Sequence, residues 1–309
     1  MNLALTALTE ELRRLKAAGV KTVTVSDASI ALLRSAQART RVEPAAAKPN
    51  EKPGTTSPSL TTMRAYPIPA KPLTPAVETP TTVSTIPAPV PFTLPDGDKA
   101  TRMAALRERV IQDATCRSNL RAGKQLVVGV GSLDAKIMFV GEAPGAEEEL
   151  QGEPFVGPAG QLLTKMITGM GLNRNDVYIG NIMNWRPQMA VNDSGVQYGN
   201  RPPTKEEMSY CLPYLRAQIE IVNPDLLVAL GTTAAQGLLG VGSFKALGDV
   251  RGRWSEFAGK PLMVTYHPSY ILRNQSNRSK RMIWDDLLKV MERAGLPISD
   301  KQRAYFLDK

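Results

Sequence analysis

From about residue 100 onward, apolar residues fall in two rhythms. Short unbroken apolar runs alternate with longer stretches in which apolar residues recur every three to four positions. The runs predict buried strands at Ala135–Val140 (AKIMFV), from Asp176–Ile179 into Asn181, at Asp225–Leu230 (DLLVAL) and at Pro261–Tyr266 (PLMVTY). The helical spacing predicts helices over Gln161–Met170, Lys205–Val222, Thr232–Leu239 and Ser279–Arg293. Strands alternating with helices argue for an α/β fold, a mainly parallel central sheet with helices on both faces. Ligands of such sheets bind just beyond the C-terminal ends of the strands.

The chain ahead of this region has a different character. Leu5, Leu8, Leu12 and Leu15 repeat at helical spacing, so residues 1–42 read as a helix (Leu3–Ala18), a short strand (Val20–Val25) and a second helix (Ala28–Gln37). Three elements make a core too small to be stable unless it docks on something. The two readings are a partner-docking or DNA-tethering segment and a weakly folded leader. Between them and the α/β pattern, residues 43–98 hold thirteen of the 24 prolines, set among Ala, Thr, Ser and Val. Such a stretch buries too little apolar surface to offset its chain entropy and is expected to be a disordered tether. The α/β domain is therefore expected over 99–309.

Charge and cysteine content narrow the chemistry. A net charge of +9 on 309 residues gives a positive field that attracts polyanions, although many basic proteins bind nothing acidic. Two cysteines, Cys116 and Cys211, make no disulfide framework and are too few for an all-thiolate metal site. No apolar run reaches the length of a membrane span, and Glu10 and Glu11 stand where a secretory signal would be apolar. The expected location is cytoplasmic. His267 is the single histidine of the chain, so any mechanism needing two imidazoles is excluded.

Four segments sit at or after the expected strand ends. Gly141-Glu142-Ala143-Pro144-Gly145 can expose backbone N–H groups to an oxyanion or phosphate, or be an ordinary turn. Phe155, inside the Gly/Pro-rich GEPFVGPAG, can stack on a planar ligand or cap the core. Asn181 closes the strand YIGN with an amide that both donates and accepts, which suits a pyrimidine edge as well as it suits a strand-ending turn. The run YHPSYILRN places His267 before a proline, which biases it towards an extended backbone. Arg273 follows in that run, with Arg278, Lys280 and Arg281 beyond it, a basic cluster suited to phosphates.

In their order along the chain, these segments resemble the family 4 uracil-DNA glycosylases of the uracil-DNA glycosylase superfamily. GEAPGAEEELQGEPFVGPAGQLL, VYIGN, the run RP…NRPPTKEE…C, the strand before LGTTAA, Arg251-Gly252 and HPSYILRN all fall in family order between about Ala114 and Ala294. The resemblance implies a three-layer α/β/α fold and hydrolytic removal of uracil from DNA. It implies a uracil site of Gly141, Glu142, Ala143, Phe155, Asn181 and His267. Phe155 would stack on the flipped base, Asn181 would read its edge, and His267 would donate to O2. Glu148 matches an acid of the family motif that would orient water or exclude the thymine methyl. Pro144, Gly145, Ser269, Leu272 and Arg273 would contact DNA, with Leu272 as the wedge. No lysine falls in the four segments at the strand ends, so the expected product is an intact abasic site without a Schiff-base step.

The chain departs from that pattern in three places. Many family members carry a [4Fe–4S] cluster on four cysteines. Here Cys116 and Cys211 match two, Ser118 or Asn119 stands near another, and Trp185 replaces the remaining one. The expectation is that no cluster or other cofactor is held and that Trp185 packs apolar surface instead. Residues 188–199 form an inserted loop, and the N-terminal extension has no counterpart in the resemblance. The rival readings are a glycosylase for another damaged base and a non-catalytic DNA-binding or polymerase-associated module. A covalent-trapping relative needs a second histidine and is excluded. The expected partner is uracil-containing DNA, single- or double-stranded, bound by a monomer.

Overall fold

The computed structural model describes residues 86–192 and 197–307. The elements expected over residues 1–42 lie outside the described residues. Within them, six strands form one sheet in the order β1-β3-β2-β4-β6-β5. The strands are β1 (Val130–Gly131), β2 (Ile137–Gly141), β3 (Tyr178–Asn181), β4 (Leu226–Leu230), β5 (Trp254–Phe257) and β6 (Lys260–Thr265). The inner four run parallel, and β1 and β5 pair antiparallel at the two edges. The sheet is thus mixed, its parallel centre as the sequence pattern implies and its short edges unannounced by any apolar run.

Strands β2 and β4 are buried at every position, which is why they read as continuous apolar runs rather than alternating ones. The pleat sends neighbouring side chains to opposite faces. Met138, Val140, Leu227 and Ala229 join one core, and Ile137, Phe139, Leu226, Val228 and Leu230 join the other. On the first face lie α1 (Lys99–Gln112), α2 (Ala114–Ser118), α5 (Lys205–Val222) and α6 (Thr232–Leu239). On the second lie α4 (Pro158–Gly169), α8 (Pro268–Arg273) and α9 (Asn277–Arg293). Short turns α3 (Glu148–Gln151), α7 (Leu247–Val250) and α10 (Asp300–Arg303) complete the set.

Local signals account for the helix ends. Asp98 and Asp113 cap α1 and α2 by accepting from Thr101 and Cys116 N–H. Thr204 and Glu207 form a reciprocal capping box that starts α5, and Asn223 ends it in the left-handed conformation. The folded part begins earlier than position 99. Ile86, Phe92 and Leu94, inside the proline-rich stretch, pack on the first core, and Phe92 stacks on Tyr214 with ring centroids 5.2 Å apart. Three large side chains are enough to anchor an extended strap.

Candidate active site

The carboxyl ends of β2, β3, β4 and β6 open into one cleft of about 600 Å³. The turn after β2 contributes Glu142, Ala143, Pro144 and Gly145, and β3 ends on Asn181. Gly231 and Thr233 follow β4, and Tyr266, His267, Ser269 and Arg273 follow β6. Glu148 and Phe155 close the remaining side. The structure therefore brings together almost every sequence-predicted site residue. Gly141 lies buried beneath the lining, and Leu272, 41% exposed, stands outside it beside Arg273.

Gly141 makes the floor. It pairs in register with Asn181 across β2 and β3. A Cβ on Gly141 would come within 2.5 Å of the Phe155 ring and would also collide with Asn181 Oδ1. The missing side chain is what lets an amide and an aromatic ring converge here. Phe155 reaches its place by a strained backbone, with φ of 55° in the left-handed region. Gly160, in the first turn of α4, makes room for that kink, because a Cβ there would overlap the Phe155 carbonyl.

Asn181 is 6% exposed, and its Oδ1 has no hydrogen-bond partner. A buried carbonyl oxygen left unpaired costs ~1–3 kcal/mol, so such a group at a cleft floor is poised for a ligand donor. The Phe155 and His267 rings lie 5.6 Å apart at 30°. His267 is the N-cap of α8, and its Nδ1 accepts the Ser269 N–H at 3.2 Å and lies 2.9 Å from Ser269 Oγ. With Nδ1 accepting, the proton of the neutral ring resides on Nε2. Burial, reinforced by the nearby Arg273 cation, pushes the His267 pKa down to about 4, against which Glu148 works weakly. The imidazole is a neutral donor at physiological pH.

Glu148 has a role the sequence did not disclose. Its Oε2 accepts from Gly145 N–H at 3.1 Å, and Oε1 accepts from Val156 at 3.0 Å and Gly157 at 2.9 Å. One carboxylate thereby ties the turn after β2 to the loop that carries Phe155. Glu142, at the cleft, is raised above the usual carboxylate range by burial, an effect that neighbouring Thr233 offsets in part. Asn200 and Arg201 also line the cleft. Arg186, held by Glu149 at 2.8 Å, donates to Asn200 Oδ1 at 2.8 Å, and Arg201 pairs with Glu207. Thr233, Asn200 and Arg201 all fall in motifs that carry the resemblance, which is the signal that could have found them. Tyr270 falls in the HPSYILRN motif as well, and Tyr266 had no signal beyond its place beside His267.

Cys116 and Cys211 lie away from this cleft, in the first core and wholly buried. Their thiols face each other, and that proximity with burial raises the Cys116 thiol far above its ordinary value. Trp185 is fully buried in the same core, its ring 6.2 Å from that of Tyr210. Tyr210 in turn donates to Asp113, which caps the helix bearing Cys116. A four-thiolate cluster does not fit these residues, which offer two thiols and an indole. Among the described residues no group of three His, Cys, Asp or Glu side chains is arranged for a metal ion. No described helix is long and apolar enough to cross a membrane.

Fold and cleft together define a class. This is an α/β protein with a cleft at the ends of four parallel strands, holding an aromatic ring, an unpaired amide and a neutral imidazole donor. Comparison with known proteins narrows the class to a family. The model for the Uracil DNA glycosylase superfamily matches residues 128–288. The chain is 43% identical over 188 residues to the Type-4 uracil-DNA glycosylase of Thermotoga maritima, covering 60% of this chain and 92% of that protein. It is 41% identical over 163 residues to the Type-4 enzyme of Pyrobaculum aerophilum, covering 51% and 78%. It is also 41% identical over 178 residues to that of Archaeoglobus fulgidus, covering 55% and 84%. The chain belongs to the uracil DNA glycosylase superfamily.

Proposed function

We propose that this chain is a monofunctional uracil-DNA glycosylase that removes uracil from DNA and leaves an abasic site for base excision repair. The observation that carries the reading is the unpaired Oδ1 of Asn181 beside Phe155 and the Nε2 donor of His267. Uracil presents an N–H donor at N3 and carbonyl acceptors on either side. The Asn181 amide is complementary to N3–H and O4. A glycosylase must first extrude its base, at a cost of a few kcal/mol, and Phe155 offers the stacking surface that repays part of it.

Cleavage of the C1′–N1 bond leaves its electron pair on the uracil ring and positive charge on the sugar. Charge developing at O2 meets the His267 Nε2–H, assisted by backbone N–H groups of Gly141, Glu142 and Ala143. Water then adds to C1′, and uracil and an abasic deoxyribose are the products. A neutral donor suits this step, since nothing need be abstracted by the imidazole. Glu148 keeps the floor in register through its three backbone bonds, and its carboxylate remains at the cleft to orient the water. Pro144, Gly145, Ser269 and Arg273 flank the opening as DNA contacts, with exposed Leu272 as the wedge.

The same reading takes the enzyme to work as a monomer, in the cytoplasm and without an iron–sulfur cluster. The two buried thiols and the fully buried Trp185 support the last point. A non-catalytic DNA-binding module is disfavoured, because it has no use for an unpaired buried amide facing an imidazole.

The test is a set of labelled oligonucleotides with one uracil, hypoxanthine, thymine or cytosine, single- and double-stranded, incubated and then treated with hot alkali. Alkali-dependent scission at uracil alone is the expected outcome. Scission at hypoxanthine in preference to uracil would assign the other specificity, and binding without scission would leave only the module.

A further inference from the structure

We propose that Tyr270, backed by Tyr266 and Arg251, is a stacking subsite for the nucleobase adjacent to the extruded uracil. The inference rests on the glycosylase reading above and extends it to a second base.

Tyr266 and Tyr270 both line the cleft, and their rings are nearly parallel, 13° apart with centroids 4.3 Å apart. The Arg251 guanidinium lies over Tyr266 at 5.1 Å from the ring centroid. Tyr266 is thus contacted by both a cation and a ring. Arg251 is itself fixed, donating to Met282 O at 2.8 Å and to Asp286 Oδ2 at 2.7 Å. Thr265 donates to the same carboxylate oxygen at 2.6 Å. The column therefore stands on a rigid base and ends at Tyr270, beside Ser269 and Arg273.

The hydroxyls separate these two tyrosines from the buried ones. Tyr178 bonds Gln218, and Tyr210 and Tyr214 both bond Asp113. Neither Tyr266 nor Tyr270 has a hydroxyl partner among the described residues, and both rings remain partly exposed. Tyr270 lines the same cleft as His267 and Arg273, so a strand whose uracil reaches His267 and whose phosphate reaches Arg273 has this ring within the cleft it occupies. Stacking is blind to base identity, so the subsite accepts any heterocyclic base, and it is most useful on flexible single strands.

The experiment uses the full chain and single-stranded oligonucleotides with one uracil, in which the base on its 5′ or 3′ side is either present or removed as a tetrahydrofuran unit. For the wild type, removing the base on one side is expected to raise both KM and Kd about tenfold. Tyr270→Leu should raise KM and Kd about tenfold on the intact oligonucleotide and lose sensitivity to that removal, with the change falling on KM rather than kcat. Tyr270→Phe should restore the wild-type KM and the sensitivity. A Tyr270→Leu protein that keeps the full sensitivity would overturn the proposal, as would a loss confined to kcat, which would mark Tyr270 as a support for His267. Absence of uracil release by the wild type would sink the glycosylase reading alone, because the Kd comparison still tests the subsite.

Discussion

His267 sets the clearest expectation at the scale of single residues. Removing one donor to a developing oxyanion typically costs ~2.7–4 kcal/mol, so His267→Ala should lower the single-turnover rate by about 10²–10³ while the protein stays folded. The pH dependence follows from burial. A histidine with its folded pKa pushed down to about 4 is neutral in the native state and cationic in the unfolded state below about 6.5. Stability from this group is thus fully present above about pH 6.5 and is lost as pH falls from there towards 4. The rate profile should likewise have no limb near 6.5 that depends on His267, and such a limb in the wild type would contradict the neutral-donor assignment. Gly141 gives a second, independent expectation. A Cβ there meets Phe155 and Asn181 together, so Gly141→Ala should lower kcat at least tenfold with little change in the affinity for undamaged DNA, read by steady-state kinetics and filter binding.

At the scale of elements, the loop carrying Phe155 depends on one carboxylate. Glu148→Gln keeps the shape but loses the charge that three backbone N–H groups share, and each such bond to a charged group is worth ~1.5–3 kcal/mol. The expected outcome is a lower kcat with faster amide exchange at Val156 and Gly157, and exchange unchanged there would place the role of Glu148 in the chemistry alone. In the first core, Trp185→Ala should cost ~3–5 kcal/mol by cavity formation, whereas Trp185→Cys should not bring iron into the protein.

How much of this was legible differs from element to element. Strands β2 and β4 and helices α5 and α6 were plain, because burial on both faces writes an unbroken run and a capped amphipathic helix writes its own period. Edge strands β1 and β5 and the strap at 86–94 were not, since pairing and packing with distant chain decide them. The cleft residues were legible as motifs. Their convergence on the missing side chain of Gly141 was not, because register across two strands has no trace in either one.

For the whole molecule, charge distribution is the quantity that matters. Residues 1–85 hold eleven basic and six acidic side chains, so more than half of the net +9 lies ahead of the cleft-bearing domain. Each phosphate neutralised releases counterions and steepens the salt dependence of binding. A protein of residues 86–309 should keep its kcat on uracil oligonucleotides but show a shallower fall of log kcat/KM with log salt. An unchanged slope would remove DNA tethering from the roles open to residues 1–42.

The central claim is that one cleft, built on Asn181, Phe155 and His267, excises uracil. Single-turnover release from a labelled single-uracil oligonucleotide, developed with hot alkali, tests it most directly when wild type is run beside His267→Ala and Asn181→Ala. The account expects scission at uracil by the wild type and a loss of at least a hundredfold in each variant. Equal rates in all three proteins, or no scission by the wild type on either single- or double-stranded DNA, would contradict it.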